Sequence, residues 1–388
     1  MPCSYRPPAD SRPMSAILPG ATLGVLGGGQ LGRMFCIAAR TMGYQLAVLD
    51  PDAGSPAGGI ADHHIQADYT DRAALDRLAE LCDVVTTEFE NVPADSLRYL
   101  ASKCTVFPTP DALEIAQNRN REKRYAREAG LLPVPNLAIN DAHDLSSAVA
   151  EVGFPAILKS ATLGYDGKGQ VVVTTEAELR DAWLGMDKVE CVLEKKIELL
   201  LEVSAIVARN AISSTCFPVA ENQHRDGILH LSIVPARIEP DIADTARAQA
   251  MKLAEMLDYT GVLAVEFFVA RDGCLYFNEM APRPHNSGHY TRDACVTSQF
   301  EQQVRMMCGL PAGDVRLVSP VVMVNMLGDL WTPDWMEILQ HPEIKLHLYG
   351  KKHARPGRKM GHFNVLSENV ETALAIAEDV FTRLVNKQ

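Results

Sequence analysis

A chain of 388 residues, 47% of them hydrophobic, is long enough for two or three cores of ordinary globular size. Its formal net charge of -12 excludes a general nucleic-acid binder, since phosphate backbones are held by clustered Lys and Arg, so any anion site must be local. The 9 cysteines form no C-x-x-C pair or metal-like spacing and suit reduced thiols in a cytoplasmic setting, and no apolar run nears the ~20 residues of a membrane span.

The first twenty residues, "MPCSYRPPADSRPMSAILPG", carry Pro and polar residues where a signal peptide needs an apolar stretch; they read as a flexible tail, with Met14 a second candidate start. From residue 21 to about 115, short apolar runs alternate with helical ones. Strands are expected at 22–26, at 45–49, in "DVVTTEF" and in "CTVFP", with helices ending at 42 and covering 71–81 and 93–101. That is a Rossmann-like parallel sheet of about four strands, one mononucleotide-binding half. "GGGQLGRM" links its first strand to its first helix, with Gly27, Gly29 and Gly32 at the spacing G-x-G-x-x-G, and Asp50 ends the second strand. Alone, this signature points to a nicotinamide dinucleotide. "TPDALEIAQNRNREKRYAREAG" then reads as a helix with Thr109 as N-cap, Pro110 at its first position and Gly130 at its stop, opening a second domain at about 116.

"FPAILKS", "GQVVVTT", "CVLEKKI" and "LEVSAIVAR" read as strands with the helical "EAELRDAWLGM" among them, a small α+β lobe over about 150–210 inside a domain reaching 317. The long helix "ADTARAQAMKLAEMLD" leads into a hairpin, "GVLAVEFFVARDGCLYFNEM". The remainder, 318–388, shows strands near "VVMVNML" and "IKLHLYG", a basic loop and a terminal helix from about Glu368, a small β-rich domain.

Two constellations carry chemistry. If Asp272-Gly273 forms a two-residue type I′ turn, Glu266 and Glu279 face each other across the hairpin. Opposed carboxylates in an otherwise apolar hairpin are destabilising without a cation between them, and an all-oxygen pair favours Mg²⁺; the bland reading is two surface glutamates. In "ILKSATLGYDGKGQ", Lys159 ends a strand and Gly164, Gly167 and Gly169 punctuate a loop that lets backbone N–H groups approach phosphates, although the Walker pattern is absent.

Taken in order, the glycine loop, "VLEKKI" and the paired-glutamate hairpin resemble the ATP-grasp superfamily. More closely, "GGGQLGRM", "EFEN", "GYDGKGQ", "EMAPRPHNSGHYT" and "RPGRKMGH" resemble the 5-(carboxyamino)imidazole ribonucleotide synthase family, from about Ala21 to the end. The resemblance implies an ATP-grasp fold with an N-terminal pre-ATP-grasp domain. It also implies carboxylation of aminoimidazole ribonucleotide with ATP and bicarbonate through carboxyphosphate, with Mg²⁺, in a homodimer.

Residue by residue, the resemblance places Arg119 and Lys159 on the ATP phosphates, with Gly164, Tyr165, Asp166, Gly167, Lys168, Gly169 and Gln170 closing over them. Glu194, Lys195, Lys196 and Ile197 would meet adenine, Glu202 the ribose, and His224 the nucleotide pocket. Glu266 and Glu279, beside Asn278, would hold Mg²⁺. Arg283, His285 and Asn286 would form the catalytic anion site, the histidine trading a proton near neutral pH. Gly29, Gln30 and Leu31 would take the ribonucleotide phosphate at a helix N-terminus, Glu88 its ribose, and Lys351 and Arg358 would complete that pocket. Asp50 then becomes a strand end beside the cleft. Rival readings are a dehydrogenase, another ATP-grasp ligase of the formate-dependent transformylase or biotin carboxylase type, and a nucleotide sensor without turnover.

Overall fold

The computed structural model describes residues 15–162, 164, 169–331 and 335–386. The N-terminal sheet holds β1 (Thr22–Leu26), β2 (Gln45–Leu49), β3 (His63–Ile65), β4 (Val84–Thr87) and β5 (Thr105–Val106), all parallel in the order β3-β2-β1-β4-β5. Leu23, Val25, Leu46, Val48 and Val84 bury one face of this sheet, and Leu26, Ala47, Leu49 and Val85 the other. A parallel sheet covered on both sides needs such continuous apolar runs. The fifth strand, β3, begins with two histidines and spans 3 residues, too short and polar for its pattern to announce it. The tail expected over 1–20 is anchored at its end: the Ile17 N–H donates to Cys308 O and the Tyr44 hydroxyl to Ile17 O.

The stretch after Thr109 is two helices, not one. Thr109 caps Pro110–Ala116, and Asn118 accepts the N–H groups of Asn120 and Arg121 to start Arg119–Glu128. The break sets Arg119 at a helix start beside the cleft. The small-lobe sheet contains β6 (Asn136–Ile139), β7 (Ala156–Ser160), β8 (Gln170–Val173) and β9 (Cys191–Lys195), in the order β6-β9-β7-β8. Contrary to expectation, "LEVSAIVAR" leaves this lobe: β10 (Leu199–Arg209) lies in the large sheet, and β6 supplies the fourth small-lobe strand.

That large sheet also contains β11 (Ser214–Cys216), β12 (Ala220–Arg225), β13 (Ile228–Val234), β14 (Gly261–Ala270), β15 (Leu275–Ala281), β16 (Val321–Leu327), β17 (Ile344–Leu348) and β18 (Lys359–Leu366). Its order is β15-β14-β10-β12-β13-β16-β18-β17, with β11 on β10. The C-terminal strands therefore extend the sheet that carries the paired glutamates, and the end of the basic loop is itself strand β18. Strands β10 and β14 are buried on both faces. Val203, Ala205, Leu263 and Val265 pack under helix Pro240–Met256, while Ile206, Ala208, Val262 and Ala264 pack toward Tyr290 and Met306.

The hairpin reaches the expected pairing by a different route. Its loop has three residues, because the Ala270 N–H donates to Cys274 O, Asp272 Oδ1 accepts the Cys274 N–H, and Gly273 sits at φ +85°. Near the turn this pairs Phe267 with Phe277, one residue off the register of a two-residue turn. An irregularity between Glu266 and Phe267 makes Asn278 the extra residue of a bulge, and beyond it Glu266 stands opposite Glu279 after all.

Candidate functional site

The glycine turn is held by acids. Asp50 Oδ2 accepts the Gly28 N–H at 2.6 Å and the Tyr69 hydroxyl at 2.8 Å, and Glu88 accepts the N–H groups of Gly29 at 2.6 Å and Gly32 at 2.8 Å. Gly27 has φ +100°, and helix Gln30–Thr41 begins so close behind it that a Cβ on Gly32 would lie 2.8 Å from Gly27 O. Burial raises the Glu88 pKa while the two N–H bonds oppose the rise. Glu88, expected on a ribose, is thus the side chain that caps the turn.

Two cavities share the wall made by Gln30, Glu88, Phe89 and Lys359. The first, about 420 Å³, brings together Gln30, Leu31, Glu88, Arg119, Gly164, Glu279, Arg283, His285 and Asn286 from the expected set. The second, about 930 Å³, gathers Gly29, Gln30, Glu88, Lys351 and Arg358 with Asp50, Tyr69 and Arg355. Thus the acidic turn forms one wall and the 351–359 segment supplies positive charge from the other. Lys351 donates to Lys359 O at 2.8 Å and Arg358 to His353 O at 2.6 Å; burial, then Arg358, lowers the Lys351 pKa to about 8.

In the first cavity Arg119 Nη1 lies 2.7 Å from Glu279 Oε2, and the Glu279 side chain is 40% exposed. Glu266 is more enclosed, and burial with the Glu279 charge pushes its pKa up to about 8. Burial also opposes ionisation of Glu279, but Arg119, with Lys159 and Lys123, outweighs it and the carboxyl stays below its ordinary value. This asymmetric pair, with the buried Asn278 Oδ1 lacking a hydrogen-bond partner nearby, fits a hard cation that fills its shell with phosphate oxygens and water. Among the described residues no cluster of three or more His, Cys, Asp or Glu offers an all-protein cage.

Arg283 is ion-paired to Glu90, whose pKa falls to about 2 because the guanidinium overcomes the cost of burial. His285 Nδ1 lies 2.9 Å from Ser287 Oγ, and its Nε2 lies 3.4 Å from Glu266 Oε1. Burial, reinforced by Arg283, lowers the His285 pKa to about 3, so the imidazole is neutral at pH 7 rather than poised to exchange a proton there. Both amide atoms of Asn286 are buried without partners in the cavity wall.

The remaining nucleotide residues lie outside these two cavities. Lys159 Nζ is 2.7 Å from Glu194 Oε2, and Lys159 pairs with Gln170 across β7 and β8. Gly169, at φ +72°, accepts the Ser160 N–H. Glu194, expected at adenine, has its carboxylate committed to Lys159 and Lys123; the lysines overcome burial and hold its pKa at about 2. Lys195 donates to Phe154 O, the Lys196 N–H to Pro155 O, and Ile197 is half-buried. Glu202 and His224 approach to 3.1 Å in a separate cavity with Leu199, Leu200 and Arg237. Tyr165, Asp166, Gly167 and Lys168 lie outside the described residues. Sequence reading missed Glu90, Lys123 and Tyr69, of which only Glu90, inside "EFEN", carried a local signal; Lys359 lay in the basic loop of "RPGRKMGH" without being singled out.

Comparisons with known proteins identify the family. Family models match as ribonucleotide synthetase preATP-grasp domain at 20–117, ATP-grasp domain at 125–300 and phosphoribosylaminoimidazole carboxylase C-terminal domain at 321–376. N5-carboxyaminoimidazole ribonucleotide synthase of Bacillus subtilis is 45% identical, the match covering 91% of this chain and 93% of the relative. This chain belongs to the N5-carboxyaminoimidazole ribonucleotide synthase family. The synthase of Brucella melitensis is 46% identical over 90% of this chain and 97% of its own. Among solved structures, an ADP complex of the synthetase superposes with a TM-score of 0.92 at 46% identity, covering 97% and 99% of the two chains. The Aspergillus clavatus synthase with ADP and 5-aminoimidazole ribonucleotide gives 0.87 at 31% identity, covering 95% and 99%. As a synthase of this family the chain is an ATP-grasp ligase, and the formate and biotin alternatives find no support among these relatives.

Proposed function

We propose a division of labour for the reaction of the family, ATP-dependent carboxylation of 5-aminoimidazole ribonucleotide with bicarbonate in purine biosynthesis. The observation that carries it is the shared wall: a cavity holding Arg119, Glu279, Arg283 and Asn286 has Gln30, Glu88 and Lys359 in common with one lined by Lys351, Arg355 and Arg358. Two anionic substrates can therefore meet at one boundary.

Arg119 and Lys159 bind ATP phosphates, with Gly164 to Gln170 over them, and Lys195 to Ile197 face adenine because the Glu194 carboxylate is already committed. Glu202 and His224 take the ribose side. Mg²⁺ on Glu266 and Glu279 would neutralise charge on the phosphates, with Asn278 beside them. A bicarbonate oxygen attacks the γ-phosphorus and ADP leaves. Arg283 and the partnerless amide of Asn286 hold the resulting carboxyphosphate, and neutral His285 orients it by hydrogen bonding. The exocyclic amine of the ribonucleotide attacks the carbonyl carbon, the carbon–oxygen bond to phosphate breaks, and the departing phosphate takes up the amine proton. Lys351 and Arg358 fix the ribonucleotide phosphate with the first-turn N–H groups of Gln30 and Leu31, and Glu88 accepts from the ribose.

A cytoplasmic homodimer completes the reading, supported by the family resemblance and by free cysteines; among the described residues no helix is long and apolar enough to cross a membrane. The test is ADP release with Mg-ATP and bicarbonate, with and without aminoimidazole ribonucleotide. Release that depends on the ribonucleotide is expected. Release that ignores it, or that needs formate or biotin with their acceptors, overturns the assignment.

A further inference from the structure

Lys123 is wholly enclosed, with none of its side chain exposed, yet it belongs to a polar helix and touches none of the cavities. Its ammonium lies 2.9 Å from Glu194 Oε1, donates at 2.9 Å to the carbonyl of Asn278, and has the Phe277 ring centroid 6.0 Å away. A lysine is buried this way only when its donors are matched, because an unpaired ammonium away from water is strongly unfavourable. Both matched groups sit next to phosphate-handling residues. Glu194 holds Lys159 through its other oxygen at 2.7 Å, and Asn278 immediately precedes Glu279.

The Asn278 carbonyl belongs to the bulge that restores the hairpin register. Without the bulge, the three-residue loop would set Glu266 opposite Asn278 and turn Glu279 to the other face of the sheet, since a one-residue slip inverts every side chain. A bulge also leaves the extra residue outside the regular ladder. Lys123 takes its carbonyl, and the neighbouring Glu122 accepts the N–H of Met280. The consecutive pair Glu122-Lys123 thus grips the chain on both sides of Glu279, while Arg119 from the first turn of the same helix reaches the Glu279 carboxylate.

The geometry assigns Lys123 a role as positioning residue: one ammonium, through Glu194 on the small lobe and Asn278 on the large sheet, sets Lys159 and Glu279 relative to each other for phosphoryl transfer. The assignment rests on the reading of Glu266 and Glu279 as the Mg²⁺ pair. Lys123 does not touch substrate. It acts on the spacing between a phosphate-binding cation and a metal-binding carboxylate in different sheets, and misplacement of about 1 Å in such a pair costs on the order of 100-fold.

The test measures ADP formation by the full chain against Mg²⁺, ATP and aminoimidazole ribonucleotide in turn, with thermal unfolding alongside. Lys123→Met is expected to lower kcat/KM for ATP by about 10- to 100-fold and to raise the Mg²⁺ needed for half-maximal rate, with KM for the ribonucleotide unchanged. Lys123→Gln, which keeps a donor for the Asn278 carbonyl but no charge, is expected to recover part of the Mg²⁺ response. It is the variant to read if Lys123→Met does not fold. A variant that is less heat-stable yet keeps its ATP and Mg²⁺ dependence, or one that loses the three responses equally, makes Lys123 a structural residue and overturns the assignment. Glu279→Gln separates this from failure of the metal reading. Full turnover in Glu279→Gln removes the metal pair whatever Lys123 does, whereas a dead Glu279→Gln beside an unaltered Lys123→Met removes only the positioning role.

Discussion

Replacing Glu88 by Gln exchanges one oxygen for an amide nitrogen and removes one charge from the wall between the two cavities. The carboxylate accepts two backbone N–H groups, from Gly29 at 2.6 Å and Gly32 at 2.8 Å, and a glutamine carbonyl cannot serve both from the same position. One hydrogen bond to a charged group is lost, worth about 1.5–3 kcal/mol. Part of that is offset, because burial and the nearby Asp50 already penalise the ionised form of Glu88. A net loss of about 1 kcal/mol in the N-terminal domain is the expected structural effect. If Glu88 also accepts from the ribose, the same 1.5–3 kcal/mol reappears as a fall of about 10- to 100-fold in kcat/KM for the ribonucleotide. The assay is steady-state ADP release, varying the ribonucleotide at saturating ATP and then ATP at saturating ribonucleotide. The ATP response should not move. An equal loss for both substrates would mean that the turn has collapsed. A gain for the ribonucleotide would show that its phosphate lies against Glu88 and is repelled by it, and either result refutes the ribose role.

Arg358→Ala should raise KM for the ribonucleotide by about tenfold, the worth of one charged hydrogen bond, and leave that for ATP alone; equal effects would move Arg358 out of the acceptor pocket. Because burial and Arg358 lower the Lys351 pKa to about 8, its positive charge is present below that pH and lost above it. In wild type, kcat/KM for the ribonucleotide should therefore fall as pH rises through about 8, and Arg358→Ala should shift the midpoint upward; a flat profile would exclude Lys351. Gly32→Ala places a Cβ 2.8 Å from Gly27 O, a backbone atom that cannot swing away, and should cost about 1–3 kcal/mol in thermal or urea unfolding. An unchanged midpoint would show that the turn yields freely. Finally, calorimetry should find Mg²⁺ binding weak alone and strengthened by a non-hydrolysable ATP analogue, since Arg119 occupies Glu279 until phosphate competes for it; equal affinities with and without nucleotide would contradict this coupling.

The doubly covered parallel sheet and the glycine turn were legible because their signals are local: apolar runs, a glycine spacing, an acid at a strand end. The opposed glutamates were legible by compensation. A three-residue loop shifts the hairpin by one position and the bulge at Asn278 shifts it back, and neither has a pattern in "ARDGCLYFNE" that distinguishes it from the simpler turn. The helix break at Gln117-Asn118 depends on Asn118 capping a new helix, a choice between two good helical paths. Residues 220–234 form a hairpin, β12 with β13, whose first strand is the polar run "AENQHR" and whose register shifts between Gln223 and His224, obscuring its alternation. Lys123 was invisible for another reason. In "NRNREKRYARE" a buried lysine looks like every exposed one, and only the tertiary placement of Glu194 and the Asn278 carbonyl reveals it.

An acidic protein that handles two polyanions needs cations that stay ordered before either substrate arrives. Here most of them are preset against internal carboxylates: Arg119 on Glu279, Arg283 on Glu90, Lys123 and Lys159 on Glu194. Each pair removes the cost of burying a lone charge and fixes the donor's direction. The pairs differ in what phosphate can do to them. Glu194 is almost fully enclosed and holds two lysines, so it is a fixed strut, whereas Glu279 keeps 40% of its side chain exposed, lines the cavity and stands opposite Glu266 across the hairpin. On the proposed reading, Arg119 would turn from carboxylate to phosphate while Mg²⁺ takes up Glu279, one exchange that leaves no charge unpaired. The basic segment at 351–359 is built the other way. Lys351 and Arg358 are held by backbone carbonyls, and among the described residues no carboxylate is ion-paired to either, which would suit the proposed pocket that binds a phosphate and releases it unchanged.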